Sequence, residues 1–112
     1  RRVMFEVSDQ GLRIRGDLYG RRIPWSSLVL EEVKLVNIKT GSDRLILLRT
    51  NGVGLPGYYS GWHRTWKDKA RYLLFVTDRT RVVRIPTRDG YTLLISPGAS
   101  ESFLNALRGD RG

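Results

Sequence analysis

At 112 residues with 40% hydrophobic content, the chain is sized for one domain around one core. Its 28% charged residues, spread without a long polar stretch, mark a folded domain rather than a disordered tail. The absence of cysteine excludes a disulfide framework, a thiol nucleophile and zinc sites built on thiolates. The longest apolar runs, Leu45 to Leu48 and Tyr72 to Val76, fall far short of the roughly 20 residues a membrane-spanning helix requires. The formal charge of +9 favours an anionic partner: a lipid headgroup surface, nucleic acid or an acidic protein.

The first elements are read from alternation. Val3, Phe5 and Val7 alternate with Met4, Glu6 and Ser8, and Leu12 and Ile14 with Arg13 and Arg15, which predicts two half-buried strands. Ser8-Asp9-Gln10-Gly11 between them is turn chemistry, so the chain opens with a hairpin. Arg21 to Trp25 forms a third short strand, ended or placed at an edge by Pro24 because proline cannot donate to a ladder. Val33 to Ile38 and Leu45 to Leu48 read as two strands paired across the turn Thr40-Gly41-Ser42-Asp43.

Asn51 to Gly61 carries four of the twelve glycines and a proline, and reads as a tightly bent structural loop built on Gly52, Gly54, Pro56 and Gly57. Arg71 to Thr77, Arg81 to Ile85 and Tyr91 to Ile95 follow as three β-branched and aromatic runs, predicted as a meander. Then the period changes. Ser96 is placed as a helix cap with Pro97 at the first position, Phe103, Leu104 and Leu107 recur at helical spacing, and Gly109 stops the helix. About seven strands followed by one helix is an α+β pattern, the helix closing a curled antiparallel sheet.

Catalytic readings find little support. Gly52, Gly54 and Gly57 stand in G-x-G-x-x-G order, but a dinucleotide site needs a helix N-terminus after the glycines, and Pro56 with the aromatic run behind it argues against one. His63, the only histidine, has Asp68 as its nearest acid and no nucleophile signature near it, and is expected to be a lone surface side chain. Glu31 and Glu32 are adjacent, and neighbours on a strand point to opposite faces. No enzyme activity, metal site or cofactor is expected.

Charge is concentrated later. Between Gly61 and Arg88 stand Arg64, Lys67, Lys69, Arg71, Arg79, Arg81, Arg84 and Arg88, interleaved with or preceded by Tyr58, Tyr59, Trp62 and Trp66. Aromatics that enter an interface beside cations that meet lipid phosphates suit a peripheral membrane surface, each cation contributing about 1 kcal/mol near an anionic leaflet. Trp62, Arg64, Trp66, Lys67, Lys69 and Arg71 are the candidate anion or membrane surface. The competing reading puts the aromatics in the core and the cations on solvated strand faces. Nucleic acid would use the same residues through stacking and phosphate contacts, but no nucleic-acid motif accompanies them.

The segment Leu48-Arg49-Thr50-Asn51-Gly52-Val53-Gly54-Leu55-Pro56-Gly57-Tyr58, the strand end Phe75-Val76-Thr77-Asp78, and Leu94-Ile95-Ser96-Pro97 leading to Phe103 resemble the bacterial PH domains, members of the pleckstrin-homology-like superfold. The opening hairpin from Phe5 to Gly20 and Arg22-Ile23-Pro24-Trp25 also fit. The resemblance implies two roughly orthogonal antiparallel sheets of about seven strands capped by a C-terminal helix, and non-enzymatic work. It also implies a place beside membrane-spanning helices, so that 1–112 is expected to be a single PH-like domain excised from a longer membrane-associated protein. Arg1-Arg2 would then favour the cytoplasmic side. The basic pattern with which pleckstrin-homology domains hold inositol phosphates is not matched, since only Arg13 and Arg15 lie near the first hairpin and Asp9 sits in its loop. The expected function is a binding module for a protein partner or for self-association, with anionic lipid as the alternative ligand and nucleic acid as the third.

Overall fold

The computed structural model describes residues 3–109, so Arg1 and Arg2, the basis of the topology expectation, lie outside the described residues. The first three strands, β1 (Met4–Ser8), β2 (Gly11–Arg15) and β3 (Arg22–Pro24), form an antiparallel sheet of their own in the order β1-β2-β3. Alternation places the side chains as expected: Leu12, Ile14 and Ile23 are buried while Arg13, Arg15 and Arg22 face solvent. Two single turns of 3-10 helix, at Trp25–Ser27 and Leu30–Glu32, lead out of this sheet. Glu31 and Glu32 thus share a helical turn and not a strand.

The second sheet has six strands: β4 (Lys34–Val36), β5 (Leu47–Leu55), β6 (Tyr58–Thr65), β7 (Arg71–Val76), β8 (Val82–Pro86) and β9 (Thr92–Ile95), in the order β4-β8-β9-β7-β6-β5. Helix α1 (Ser100–Leu107) follows. Among the described residues, nine strands in two sheets with one C-terminal helix keep the expected α+β class, with more strands than the sequence suggested.

Three expectations change. The run from β7 to β9 is not a meander, because β9 inserts between β7 and β8, parallel to β7 and antiparallel to β8. The reason lies in burial: Leu93, Leu94 and Ile95 are apolar on both sides and fully buried, and a continuous apolar run is stable only at the centre of a sheet covered on both faces. The stretches around Val36 and Leu47 are not paired either. β4 pairs with β8 and β5 with β6, at opposite edges of the sheet, and the 37–46 connection brings them together through one backbone bond, Leu45 N–H to the Ile38 carbonyl at 2.9 Å. Finally, Ser96 does not cap α1, whose N-cap is Ala99. The Ser96 hydroxyl instead accepts the Thr77 N–H at 3.1 Å and the Asp78 N–H at 3.4 Å, closing the end of β7.

The glycine-rich segment is also a strand pair and not a loop. Gly52 and Gly54 lie inside β5, and only Pro56 and Gly57 form the turn, with Gly57 at φ 81°. Gly52 faces Gly61 across the ladder, and the two backbones approach so closely that a Cβ on Gly52 would run into the Ser60 carbonyl oxygen. A Cβ on Gly61, at φ 91°, would lie 2.5 Å from the Gly52 Cα and 2.6 Å from the Asn51 carbonyl oxygen. A bulge at Thr50, between the Arg49 and Asn51 register positions, adds to the local twist.

Both faces of the six-stranded sheet are apolar. On one, Leu73, Phe75, Val83, Ile85, Leu93 and Ile95 meet the small sheet and the α1 side chains Phe103, Leu104 and Leu107, and Phe5 sets its ring edge-on to Phe75 and Phe103 at 6.4 and 6.2 Å. On the other, Tyr72, Leu74, Val76, Val82 and Leu94 meet Val36 and Ile38, with Leu45, Leu47 and Tyr59 packed partly over them.

The Gly61→Ala substitution is expected to cost roughly 2 kcal/mol, since it combines a positive φ with backbone collisions, and to lower Tm by about 10 °C. Gly98→Ala, where an added Cβ meets nothing within 4 Å, is expected to leave Tm unchanged. Thermal unfolding followed by circular dichroism compares the two.

Candidate functional site

The six cations and aromatics singled out in the sequence fall into two places. Trp62 is half-buried on β6, packed at the margin of the larger core. The Arg71 guanidinium stands over its ring at 4.4 Å and that of Arg21 at 5.1 Å, while Tyr91 meets it edge-on at 5.1 Å. Two guanidiniums on one indole form a cation–π stack that fixes the ring in the fold. Arg64 faces Arg71 across the ladder and donates to the Lys69 carbonyl at 3.1 Å.

Trp66, Lys67 and Lys69 occupy the turn between β6 and β7. Trp66 is 69% exposed, and its backbone N–H donates to the Ile46 carbonyl at 3.0 Å, which sets the exposed Ile46 beside it. The turn is held from below. The Thr65 hydroxyl donates to the Asp68 carboxylate, and the Ala70 N–H is shared between the Thr65 hydroxyl at 2.9 Å and Asp68 at 3.1 Å. These bonds, that of the Thr65 hydroxyl foremost, hold the Asp68 carboxyl below the usual carboxylate range, and the neighbouring Lys67 charge acts in the same direction. Lys69 takes a left-handed conformation, φ 59°, to complete it.

Three exposed apolar side chains, Leu48, Val53 and Leu55, stand on β5. The ladder sets them opposite Arg64, Ser60 and Tyr58, so all three share one face of the hairpin. β5 is the outermost strand of its sheet, and from Asn51 to Leu55 its register runs without interruption. Among the described residues the ion pairs are Arg15 with Glu6 at 3.2 Å and Lys34 with Asp43 at 3.7 Å, so the cations around β5 and the Trp66 turn are not neutralised by salt bridges.

The opposite face of the same hairpin carries a cavity of about 190 Å³, lined by Arg49, His63, Tyr59 and Arg79 above Ile38, Leu45, Leu47 and Leu74. His63 is 5% exposed, which corrects the surface position expected for it. Its Nδ1 lies 3.1 Å from the Gly61 carbonyl, a contact that places the proton of the neutral ring on Nδ1. Burial lowers its pKa from the usual 6.5; the Gly61 bond opposes this and the nearby Arg49 charge adds to it. Near the first hairpin, Arg13 and Arg15 are joined by Arg21 and Arg22 around a broad, open depression, where Asp17 accepts from the Tyr19 N–H at 2.8 Å and from the Tyr58 hydroxyl.

A family model described as "Bacterial PH domain" matches residues 3–110, nearly the whole chain. The chain belongs to the bacterial PH domain family. No curated protein and no solved structure matches it significantly. For a bacterial PH domain the general role is that of a binding module. The described residues contain no group of three or more His, Asp or Glu able to hold a metal, and no helix long and apolar enough to cross a membrane. The G-x-G-x-x-G string of this PH domain runs into strand β6 and not into a helix, so the pyrophosphate-binding geometry is not formed.

Arg49, Arg21 and Tyr91 were missed as site residues in the sequence, and Tyr59 and Arg79, though part of the basic and aromatic stretch, were left out of the candidate surface. The signal for the first was present: the Pro56-Gly57 turn makes Leu55 and Tyr58 partners, and counting back along both strands with one bulge sets Arg49 opposite His63.

His63 gives the domain a defined acid sensitivity. Because its folded pKa lies below 6.5, the unfolded chain takes up the proton first, so stability present at pH 7 is lost as pH falls through 6.5. Asp68 and Asp78, held below 3.8, lose their contribution only at lower pH. Tm is therefore expected to fall between pH 7 and pH 5 in the native protein and to fall less in His63→Gln, measured by calorimetry at matched ionic strength.

Proposed function

We propose that this bacterial PH domain is a non-enzymatic assembly module that takes an extended, acidic segment of a protein partner along β5. The observation that carries the reading is the edge position of β5, a nine-residue strand with an open side and with Leu48, Val53 and Leu55 exposed on one face. An unpaired strand edge adds a peptide through main-chain hydrogen bonds, and side chains on alternate positions select it. Charge selects the partner's sign: Arg64 stands opposite Leu48 in the ladder, Arg44 and Lys67 lie with Ile46 near the start of the strand, and Asp68 is bonded within its own turn.

A second reading is favoured by Trp66. An aromatic ring 69% exposed at the tip of a turn, with Ile46 beside it and Lys67, Lys69 and Arg44 around it, has the arrangement of a shallow anchor on anionic lipid. Trp62 and Arg71 contribute less to such an anchor, because they are stacked on each other.

One titration, with two ligands, tests both. A ten-residue peptide alternating glutamate with valine and threonine is expected to bind saturably, to move the amide signals of 47–55, and to lose roughly tenfold in affinity in Val53→Glu. Binding of the lysine counterpart with equal affinity, or shifts confined elsewhere, would contradict the edge reading. Vesicles of phosphatidylcholine with phosphatidylserine form the other arm. Sedimentation with them that is lost in the variant Trp66→Ser/Lys67→Glu/Lys69→Glu, but not in Val53→Glu, would establish the lipid reading instead.

A further inference from the structure

The cavity on the other face of the β5–β6 hairpin calls for a separate account. Its rim brings together two guanidiniums and an imidazole. The Arg79 guanidinium lies over the Tyr59 ring, 5.4 Å from its centroid, and its backbone carbonyl accepts the Ile38 N–H at 2.9 Å, so this arginine is fixed at both ends. Arg49 stands opposite His63 in the ladder. Its guanidinium runs along β5 into the space a side chain at Gly54 would fill: a Cβ there would collide with the Arg49 Nη1. Gly54, which has no positive φ and no turn to make, thus has a role as the place where Arg49 lies.

No carboxylate is among the residues lining the cavity, and neither Arg49 nor Arg79 takes part in an ion pair among the described residues. Asp78, next in sequence to Arg79, is turned to the Thr80 N–H and hydroxyl at 2.9 and 2.6 Å. Like charges converging over an apolar floor repel one another, and a bound anion relieves that cost with charge-assisted hydrogen bonds. The volume decides the size of the anion. At about 190 Å³ the cavity is smaller than the roughly 300 Å³ at which sites for drug-sized ligands begin, which leaves room for one oxyanion group and a few carbons but not for a nucleotide.

We propose that this cavity binds a small oxyanion carrying a short aliphatic group, the anion held by the Arg49 and Arg79 guanidiniums beside the neutral His63 ring, and the aliphatic part resting on Leu45, Leu47 and Leu74. The site is independent of the strand edge: it lies on the opposite face of β5 from Leu48, Val53 and Leu55. The same chemistry is offered by a soluble phosphate monoester and by the phosphate of a lipid headgroup.

His63 is the only histidine, so its ring C–H signals in a proton–carbon NMR spectrum form a single reporter inside the cavity. Titration with n-butyl phosphate at constant pH is expected to move these signals saturably, and inorganic phosphate to do so at least fivefold more weakly for want of the aliphatic contact. n-Butylammonium is expected to leave them in place. Arg49→Gln and Arg79→Gln, both on exposed side chains, are each expected to weaken butyl phosphate roughly tenfold. Gly54→Val is expected to weaken it as well, by occupying the place of the Arg49 guanidinium, with the amide spectrum showing that the fold is kept. Vesicles containing phosphatidic acid separate the sources: displacement of butyl phosphate by vesicles assigns the site to a lipid headgroup, and its absence to a soluble ligand. The proposal is overturned if butyl phosphate produces no saturable movement, if butylammonium moves the ring equally, or if the arginine variants bind unchanged.

Discussion

Tyr72, Leu74 and Val76 leave β7 on one side and Leu73 and Phe75 on the other, and all five are buried; β9 beside it is apolar in the same two-sided way. A strand pair of this kind is stable only if both faces are covered, and that requirement places the remaining elements. One face is closed completely by the three-stranded sheet and α1, whose Phe103 reaches Phe5 at 6.2 Å. The other has no second sheet. Among the described residues only the 37–46 connection crosses it, pinned by the Ile38 N–H to the Arg79 carbonyl and by the Leu45 N–H to the Ile38 carbonyl.

The incomplete cover is where binding chemistry accumulates. Leu45 and Leu47 close part of the second face, and the part they leave open is the cavity rimmed by Arg49, His63, Tyr59 and Arg79. Beyond it the sheet ends in β5, which none of the described residues pairs on its outer side. The glycines connect these features. Gly52 and Gly61 let the two strands of the hairpin approach, and Gly54 gives the Arg49 guanidinium its place. The hairpin therefore offers an apolar strand edge on one face and a cationic cavity on the other, as suits a family whose members work by binding.

Where one element packs against one face, the sequence was legible. Val3, Phe5 and Val7, and then Leu12 and Ile14, alternate cleanly because their sheet has one wet side, and the helix through Phe103, Leu104 and Leu107 shows its period for the same reason. The order of β7, β8 and β9 was not legible, because strands buried on both faces lose alternation and with it the clue to their neighbours. His63 was placed on the surface because no second ligand or catalytic partner stands near it in sequence, and Gly52, Gly54 and Gly57 were read as a bent loop. Only the cross-strand approach of Gly52 to Gly61, which is a tertiary fact, shows those glycines to be extended and brings His63 under the sheet. Trp62 and Trp66 look equivalent in sequence, yet one is locked between Arg21 and Arg71 and the other is open to solvent, a difference set by Arg21 from a distant strand connection.

Native-state hydrogen–deuterium exchange, resolved by residue, tests most directly the claim that a doubly buried strand pair supports an open edge. The amides of β7 and β9 are expected to exchange only through global unfolding, whereas those β5 amides that point away from β6 exchange near the rate of an unprotected chain. Protection of every β5 amide to the level of β7 in the isolated protein would contradict the account, because it would mean that this edge is already covered.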